Sequence, residues 1–325
     1  MPTKDALIRV LEENRNRAVS GQELADTLHI TRAAVWKAVR SLQEDGYHIE
    51  AVRNRGYRLA PDTDVLSAQG VALFLPEEYR DSPVTVLPTV DSTNSAAKRL
   101  AAGGAPHRTL VLAEKQTAGR GRRGRSFYSP AETGLYMSVL LRPNSTLQDA
   151  LPVTAAAAVA VCRAAEALTG RRPGIKWVND LFLDGRKISG ILTEAISDFE
   201  SGMAEAVIVG IGVNLRTTDF PDELAGIAGS LHPGQVTRNE LAARIATELF
   251  RLAENLSSPS LMEEYRARSL ILGKEIAFRQ GGGGPPPGRR GRAAAIDNEG
   301  RLLVETDGGR IALKAGEVSV VGSDL

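Results

Sequence analysis

Cysteine, aromatic side chains and net charge are all scarce in this chain. Its 325 residues include one cysteine, Cys162, and 5% aromatic residues. A single thiol builds neither a disulfide framework nor a cysteine-based metal site. Cys162 lies in the apolar run Ala155–Ala165, so a buried structural thiol is expected there rather than a nucleophile. Forty Lys and Arg against 39 Asp and Glu leave a formal charge of +1. Nucleic-acid binding must therefore rest on local charge, because bulk charge does not predict it. Long apolar runs are missing too. The most apolar stretch, near Ala150–Leu168, is interrupted by Arg163 and Glu166, which argues against a membrane span. Met1-Pro2-Thr3-Lys4-Asp5 lacks the apolar core of a secretory signal. The expectation is a cytoplasmic chain with no membrane partner. What is present is ordinary: 42% hydrophobic and 24% charged residues, enough for two or three packed domains.

Residues 1–62 read as a compact helical unit ending in a hairpin. Ser20-Gly21-Gln22-Glu23 spells a capping box, with Val19 and Leu24 placed as a hydrophobic staple. Thr31 opens a second capped helix, stapled by Ile30 and Val35, with Val35, Val39 and Leu42 facing inward and Gly46 ending it. Helix, short connection, helix is the helix-turn-helix pattern. A hairpin over 48–59 follows, with Asn54-Arg55-Gly56 as its turn, and Pro61–Asp64 reads as a linker. Residues 63–268 alternate strand and helix. Strands are expected at Thr109–Glu114, Leu135–Leu141 and Ala206–Val213, and helices at Ser92–Ala101, Leu151–Leu168 and Arg238–Leu256. Residues 269–325 hold short strand candidates separated by Asp297–Gly300 and Asp307–Gly309, the pattern of a small β barrel. The Gly/Pro run at 281–287 reads as a loop between two of them.

Between Arg32 and Arg58 there are six basic residues (Arg32, Lys37, Arg40, Arg53, Arg55, Arg58) and three acidic ones. A recognition helix starting at Thr31 would present its first residues, Arg32, Ala33 and Ala34, and then Lys37 and Arg40 to a duplex. Arg53 and Arg55 at the hairpin tip would reach phosphates, which position without specifying sequence. A solvated charged face is the alternative, but the two caps, the second helix and the basic wing agree on DNA.

Gly119-Arg120-Gly121-Arg122-Arg123-Gly124-Arg125 contains G-x-G-x-x-G, yet the dinucleotide motif needs a helix after it. Here Ser126–Pro130 and Leu135–Leu141 look extended, and no Gly-Lys-Ser/Thr follows as in a Walker loop. Arginines packed between glycines suggest a flexible cover over polyphosphate, since guanidinium offers bidentate donors to phosphate and carboxylate. A basic surface loop is the plainer alternative. In Lys176-Trp177-Val178-Asn179-Asp180 the polar pair falls at a turn after a short strand. Lys187 leads into an apolar strand containing Gly190, which can place an ammonium in a pocket or merely at a strand end. Gly210 and Gly212 in a further strand would let a ligand lie against backbone. Asp91-Ser92-Thr93-Asn94 is a capping cluster that either caps a helix or aims donors at a ligand.

Taken in order, Asp91–Asn94, the glycine–arginine loop, Lys176-Trp177-x-Asn179-Asp180, Lys187-x-x-Gly190-Ile191-Leu192 and Gly210-x-Gly212-x-Asn214 resemble the successive motifs of biotin–protein ligases. Each is weak alone; five in order and spacing are specific. With the N-terminal unit the whole chain resembles the bifunctional biotin ligase/biotin operon repressor family. Val178 stands where that family usually has proline. The resemblance implies an α+β protein: a winged helix-turn-helix, a catalytic domain like class II aminoacyl-tRNA synthetases, and an SH3-like barrel. It implies biotin, ATP and Mg²⁺ as ligands, biotinyl-5′-AMP as intermediate and corepressor, and a lysine of a biotin carboxyl carrier protein as acceptor. It also implies operator DNA as a partner and a homodimer when adenylate is bound. By position, Ser92, Thr93, Asn94, Gln116, Gly119, Arg120, Gly121, Arg122, Arg125 and Lys187 would line the biotin and adenylate site. Gly190, Leu192 and Gly210 would pack against biotin, with Asn179, Asp180 and Asn214 on the nucleotide and magnesium side. Lys187, Arg122 and Asp180 are the expected catalytic groups, and no dedicated metal-ligand set is assigned. Two other readings stay open: a lipoate ligase, although its Arg-Arg-x-Ser/Thr-Gly-Gly-Gly pattern is missing, and a ligand-sensing transcription factor without catalysis.

Overall fold

The computed structural model describes residues 3–142, 151–197, 204–279 and 288–322, so the Gly/Pro run at 281–287 lies outside the described residues. The N-terminal unit is α1 (Thr3–Glu13), α2 (Gly21–Leu28), α3 (Arg32–Glu44) and a hairpin of β1 (Ile49–Val52) and β2 (Gly56–Leu59). Both helix starts form as their sequences direct: Ser20 accepts the Glu23 amide at 3.0 Å, and Thr31 accepts that of Ala34 at 3.2 Å. The return half of the box is weaker than the sequence predicts. The Glu23 carboxylate goes mainly to Arg17, 2.8 Å away, with the Ser20 amide a minor contributor to its lowered pKa. Leu7, Leu11, Val19, Leu24, Val35, Val39 and Leu42 fill a core of their own. Gly56 is needed at the wing: its φ is +109°, and a Cβ there would come within 2.0 Å of the Val19 carbonyl oxygen.

The middle of the chain adds α4 (Ala68–Phe74), β3 (Val84–Val90), α5 (Thr93–Ala102), β4 (Thr109–Gln116), β5 (Gly134–Leu141) and α6 (Leu151–Thr169). Then follow β6 (Gly174–Lys176), β7 (Asp180–Leu183), β8 (Arg186–Ser197), β9 (Ala204–Asn214), α7 (Asp222–Ala225), α8 (Arg238–Ala253) and α9 (Pro259–Ala267). The strands form one seven-stranded sheet, ordered β3-β4-β5-β9-β8-β7-β6 and antiparallel except for β3 with β4. Strand alternation gives it two faces. Leu135, Met137, Val139 and Leu141 of β5 turn toward α6 and α8, and Leu140 of the same strand turns toward α5. Each fully buried side chain of this kind contributes about 1.5–3 kcal/mol. By length and composition α6 could cross a membrane, contrary to the sequence reading; 72% of its apolar window is buried inside the protein, which makes it a core helix.

Five strands close the chain: β10 (Glu275–Arg279), β11 (Arg289–Ile296), β12 (Leu302–Thr306), β13 (Gly309–Leu313) and β14 (Glu317–Val320), ordered β13-β12-β11-β10-β14. Their inner residues Ile276, Phe278, Val304 and Leu313 join the core that α6 and the large sheet build. The end of the expected linker is fixed rather than loose. The Asp64 carboxylate accepts the Arg238 amide at 2.7 Å and Arg216 Nη1 at 2.9 Å, and Glu114 Oε2 meets Arg238 Nη1 at 2.6 Å. The Arg238 side chain is only 3% exposed, so this cluster carries charges out of water and depends on all its partners.

Candidate functional site

The glycines of β8 and β9 dictate where a ligand can lie. Register pairs Ser138 with Gly210, Tyr136 with Gly212, Gly212 with Gly190, and Gly210 with Leu192. These residues share one sheet face, and removing side chains from it leaves a floor under α5. The result is a cavity of about 350 Å³ that takes in residues from all five motif segments. Phe127 lies over the floor: a Cβ at Gly212 would come within 2.5 Å of its ring. Gly210, which the resemblance sets against biotin, lines the cavity, and a Cβ there would sit 2.3 Å from Asn94 Oδ1. It admits Asn94 to the wall.

The start of α5 is held from outside. Ser92 is the N-cap by backbone conformation but its side chain makes no cap bond. Gln116 Oε1 accepts the Thr93 amide at 2.9 Å instead, and Gln116 Nε2 donates to Ser129 at 2.9 Å. Asn94 Nδ2 donates to the Leu192 carbonyl and to Glu194, at 3.2 and 2.7 Å. Its Oδ1 lies 2.6 Å from the fully buried Ser138 hydroxyl. Burial opposes ionisation of Glu194, but hydrogen bonds from Lys98 and Asn94 hold its carboxyl below the usual range.

The glycine–arginine loop, expected as a flexible cover, is closed on itself by backbone hydrogen bonds. Gly121 donates to the Arg125 carbonyl at 2.7 Å, Phe127 to that of Gly119 at 2.8 Å, and Arg122–Gly124 forms one 3₁₀ turn. As expected, extended chain and β5 follow it and no helix does. Arg120 reaches Ser95 at 3.1 Å and Glu194 at 3.5 Å. Arg125 pairs with Glu317 of β14 at 2.5 Å. Arg122 turns inward, with Nη1 donating to Asn179 Oδ1 at 3.1 Å, and burial lowers its pKa against the pull of Asp180.

Asn179 and Asp180 face this arginine. The turn that carries them, which includes a cis Trp177–Val178 peptide, is fixed by two hydrogen bonds. The buried Tyr265 hydroxyl donates to the Val178 carbonyl at 2.8 Å, and Trp177 Nε1 donates to the Gly300 carbonyl at 3.0 Å. Asp180 Oδ1 accepts from Asn179 at 3.1 Å and lies 2.7 Å from Lys187 Nζ. Lys187 is therefore aimed into the cavity by Asp180. Lys176, burial lowering its pKa, stands over the Phe182 ring at 5.4 Å with no ion-pair partner among the described residues.

Two expected residues fall outside the wall. Asn214 is buried and donates to the Gly229 carbonyl at 3.0 Å, so it braces the rim segment that carries Leu224 and Ile227. A Cβ at Gly119 would meet Phe127 O at 2.5 Å and Ser129 Oγ at 2.7 Å, so this glycine lets the loop close. Sequence reasoning gave no role to Ser138, Glu194, Lys98, Lys176, Phe127 or residues 316–319, all of which line or brace the cavity. A lone serine inside the apolar strand Leu135–Leu141 and a glutamate within the strand run 191–197 were the available signals. Six cations (Arg120, Arg122, Arg123, Arg125, Lys176, Lys187) against two carboxylates (Asp180, Glu317) leave the wall four charges positive. Such a wall suits anionic reactants.

A second surface is equally polarised. Arg32, Ala33, Lys37 and Arg40 are exposed along α3, Ala34 is half-buried, and Arg53 and Arg55 stand at the hairpin tip. Arg58 is instead engaged by Glu50 at 2.6 Å. Among the described residues none of Arg32, Lys37, Arg40, Arg53 and Arg55 has an ion-pair partner.

Comparison with known proteins gives three family matches. Residues 86–214 match the biotin/lipoate A/B protein ligase family, residues 3–58 an HTH domain, and residues 271–321 the biotin protein ligase C-terminal domain. The chain is similar to the bifunctional ligase/repressor BirA of Bacillus subtilis, 37% identical over 93% of this chain and 94% of that one. It is also similar to the protein of that name from Escherichia coli, 30% identical over 93% and 92%. Among solved structures, the Aquifex aeolicus biotin protein ligase in complex with biotin and ATP aligns with a TM-score of 0.62 and 28% identity, covering 73% of this chain and 97% of that one.

Proposed function

The chain belongs to the bifunctional ligase/repressor family, and from that premise we propose how its two polarised surfaces divide the work. The cavity joins biotin to ATP as biotinyl-5′-AMP and passes the biotinyl group to a lysine of a biotin carboxyl carrier protein. The helix-turn-helix carries the chain to operator DNA as a repressor, with biotinyl-5′-AMP as corepressor. One observation carries the reading: a single cation-rich cavity over a glycine floor gathers residues of all five motifs. We assign residues 1–62 to a winged helix-turn-helix, 63–268 to a catalytic domain of class II synthetase type, and 269–325 to an SH3-like barrel. The repressing species is a homodimer, since a two-fold protein matches a palindromic operator.

In the first step an oxygen of the biotin carboxylate attacks the α-phosphorus of ATP and the α–β anhydride bond breaks, releasing pyrophosphate. Both reactants are anions, so fixed cations must offset their repulsion. Lys187 bridges the carboxylate and the α-phosphate as charge develops, oriented by Asp180. Arg122, Arg120 and Gln116 surround the adenylate, and the loop keeps water from the anhydride. Bound together with the nucleotide, Mg²⁺ would supply charge neutralisation on the phosphates. The oxygens of Asp180 and Asn179 are the donors on this wall that would face it, in keeping with a hard cation held by one carboxylate plus phosphate. In the second step the neutral carrier amine attacks the acyl carbon, the acyl–phosphate bond breaks, AMP leaves and the new amide sheds a proton. The test is incubation with biotin, ATP and a carrier domain: streptavidin-detectable label on its one acceptor lysine supports the reading. No label with biotin, but label with lipoate, would contradict it.

Two expectations concern the N-terminal unit. A chain beginning at Asp62 keeps the Asp64 clamp, and one beginning at Val65 loses it. Both should form biotinyl-adenylate and neither should bind operator. The shorter one should be less stable by about 1–3 kcal/mol, because the buried Arg238 and the half-buried Arg216 lose the Asp64 acceptor. Equal urea midpoints for the two would show that the clamp is inert. At the wing, Arg53→Ala or Arg55→Ala should weaken binding on every sequence and lower the salt slope by about one. Unchanged slopes in both would remove the wing from the phosphates.

A further inference from the structure

Resting on the repressor reading above, one residue of α3 calls for a more specific role. Trp36 is 56% exposed, the largest side chain among the exposed hydrophobics of the described residues. It is not part of the helix's packing face, which is Val35, Ala38, Val39 and Leu42. On a helix of 3.6 residues per turn it projects about 40° from Arg32 and about 40° from Arg40, on the exposed arc that also holds Ala33 and Lys37. The Arg40 guanidinium sits 5.9 Å from the Trp36 ring centroid, which braces the ring in place. The helix carries no acid before Glu44. An indole flanked along its own helix by Arg32, Lys37 and Arg40, none with an ion-pair partner among the described residues, is placed where a polyanion would cover it.

We propose that Trp36 reads the 5-methyl group of a thymine in the operator major groove. The reason is chemical. Base edges in that groove present donors and acceptors, and the thymine methyl is their apolar group. The indole carries a single donor at Nε1–H and no acceptor, and on a base edge its ring face gains from burial against an apolar group. Ala33, one turn earlier on the same arc, is small enough to let the helix backbone approach the groove floor. Arg32 and Lys37 at the edges of the arc fit the phosphates on either side, and Arg40 keeps the ring upright. Trp36 is thus a specificity-determining residue, whereas the cations around it position.

The test begins with duplexes enriched from a random-sequence library by the full-length chain in the presence of biotinyl-5′-AMP. Each thymine of the enriched site is then replaced singly by uracil, which removes only the methyl. With the parent chain, one position per half-site should lose about fourfold in affinity, the value of one buried methyl group. Trp36→Ala should lose on the order of tenfold on the enriched site, as for one mismatched base pair. It should show no uracil effect there, and keep both its affinity for random duplex and its salt slope. Trp36→Phe, still aromatic and apolar, should retain the thymine preference in weakened form. Thermal melting of both variants checks that α3 is intact. The proposal is overturned if Trp36→Ala enriches the same sequence with the same methyl dependence. It is also overturned if affinity falls equally on random and enriched duplex with a changed salt slope, which would make the residue a brace for phosphate contacts. If the parent enriches no sequence at all, the repressor reading itself fails, and this outcome is distinct from the other two.

Discussion

Replacing Lys187 by alanine should lower biotin-dependent pyrophosphate exchange by two orders of magnitude or more. The ammonium is the group that Asp180 aims into the cavity at 2.7 Å. Loss of one preorganised charge contact at a reacting centre costs about 3 kcal/mol in the barrier, about a hundredfold in rate. The variant also leaves the Asp180 carboxylate facing an incoming anion, which adds to the loss. Lys187→Arg keeps the charge but replaces a compact point charge with a planar fork, so it should recover only part of the rate. Near-normal exchange in Lys187→Ala, with an unchanged melting temperature, would remove this residue from the chemistry.

The second large effect is expected at Arg122. Its guanidinium is half-withdrawn from water and bonded to Asn179, facing the cavity. Arg122→Gly should leave Lys187 in place and the first step partly active. It removes a charged hydrogen bond of about 1.5–3 kcal/mol. Adenylate should then dissociate faster by a factor on the order of ten to a hundred. A freed mixed anhydride acylates any exposed amine, so stray labelling of a bystander protein and of the chain itself should rise in step. An off-rate and stray labelling that both match the parent would make Arg122 part of the wall and nothing more.

The sequence carried the local structure of this protein well because each signal was local. Ser20 and Thr31 cap the helices they announce, and the strand at Leu135–Leu141 differs from that observed by one residue. All five motifs meet in one cavity, in part because glycines cannot fill a sheet face. What the sequence hid depends on contacts between distant residues. The bond from Asn94 to Glu194 spans 100 residues and that from Trp177 to Gly300 spans 123, and no period or spacing encodes either. For the same reason Pro61–Asp64 read as a linker, since nothing local shows that Arg216 and Arg238 hold Asp64. Asn214 sits in a motif and so drew a ligand role, yet its amide turns to the Gly229 carbonyl. The loop's glycines suggested a cover, and Gly119 has a further part that spacing does not show: it lets the loop close on itself.

Pyrophosphate exchange into ATP by the full-length chain tests the central claim most directly, because it reports the first bond made in the cavity without a carrier or DNA. The account predicts exchange that is absent without biotin, saturates as biotin is added, and is not supported by lipoate. Exchange supported by lipoate and not by biotin, or no exchange from a folded chain with both substrates present, would contradict it.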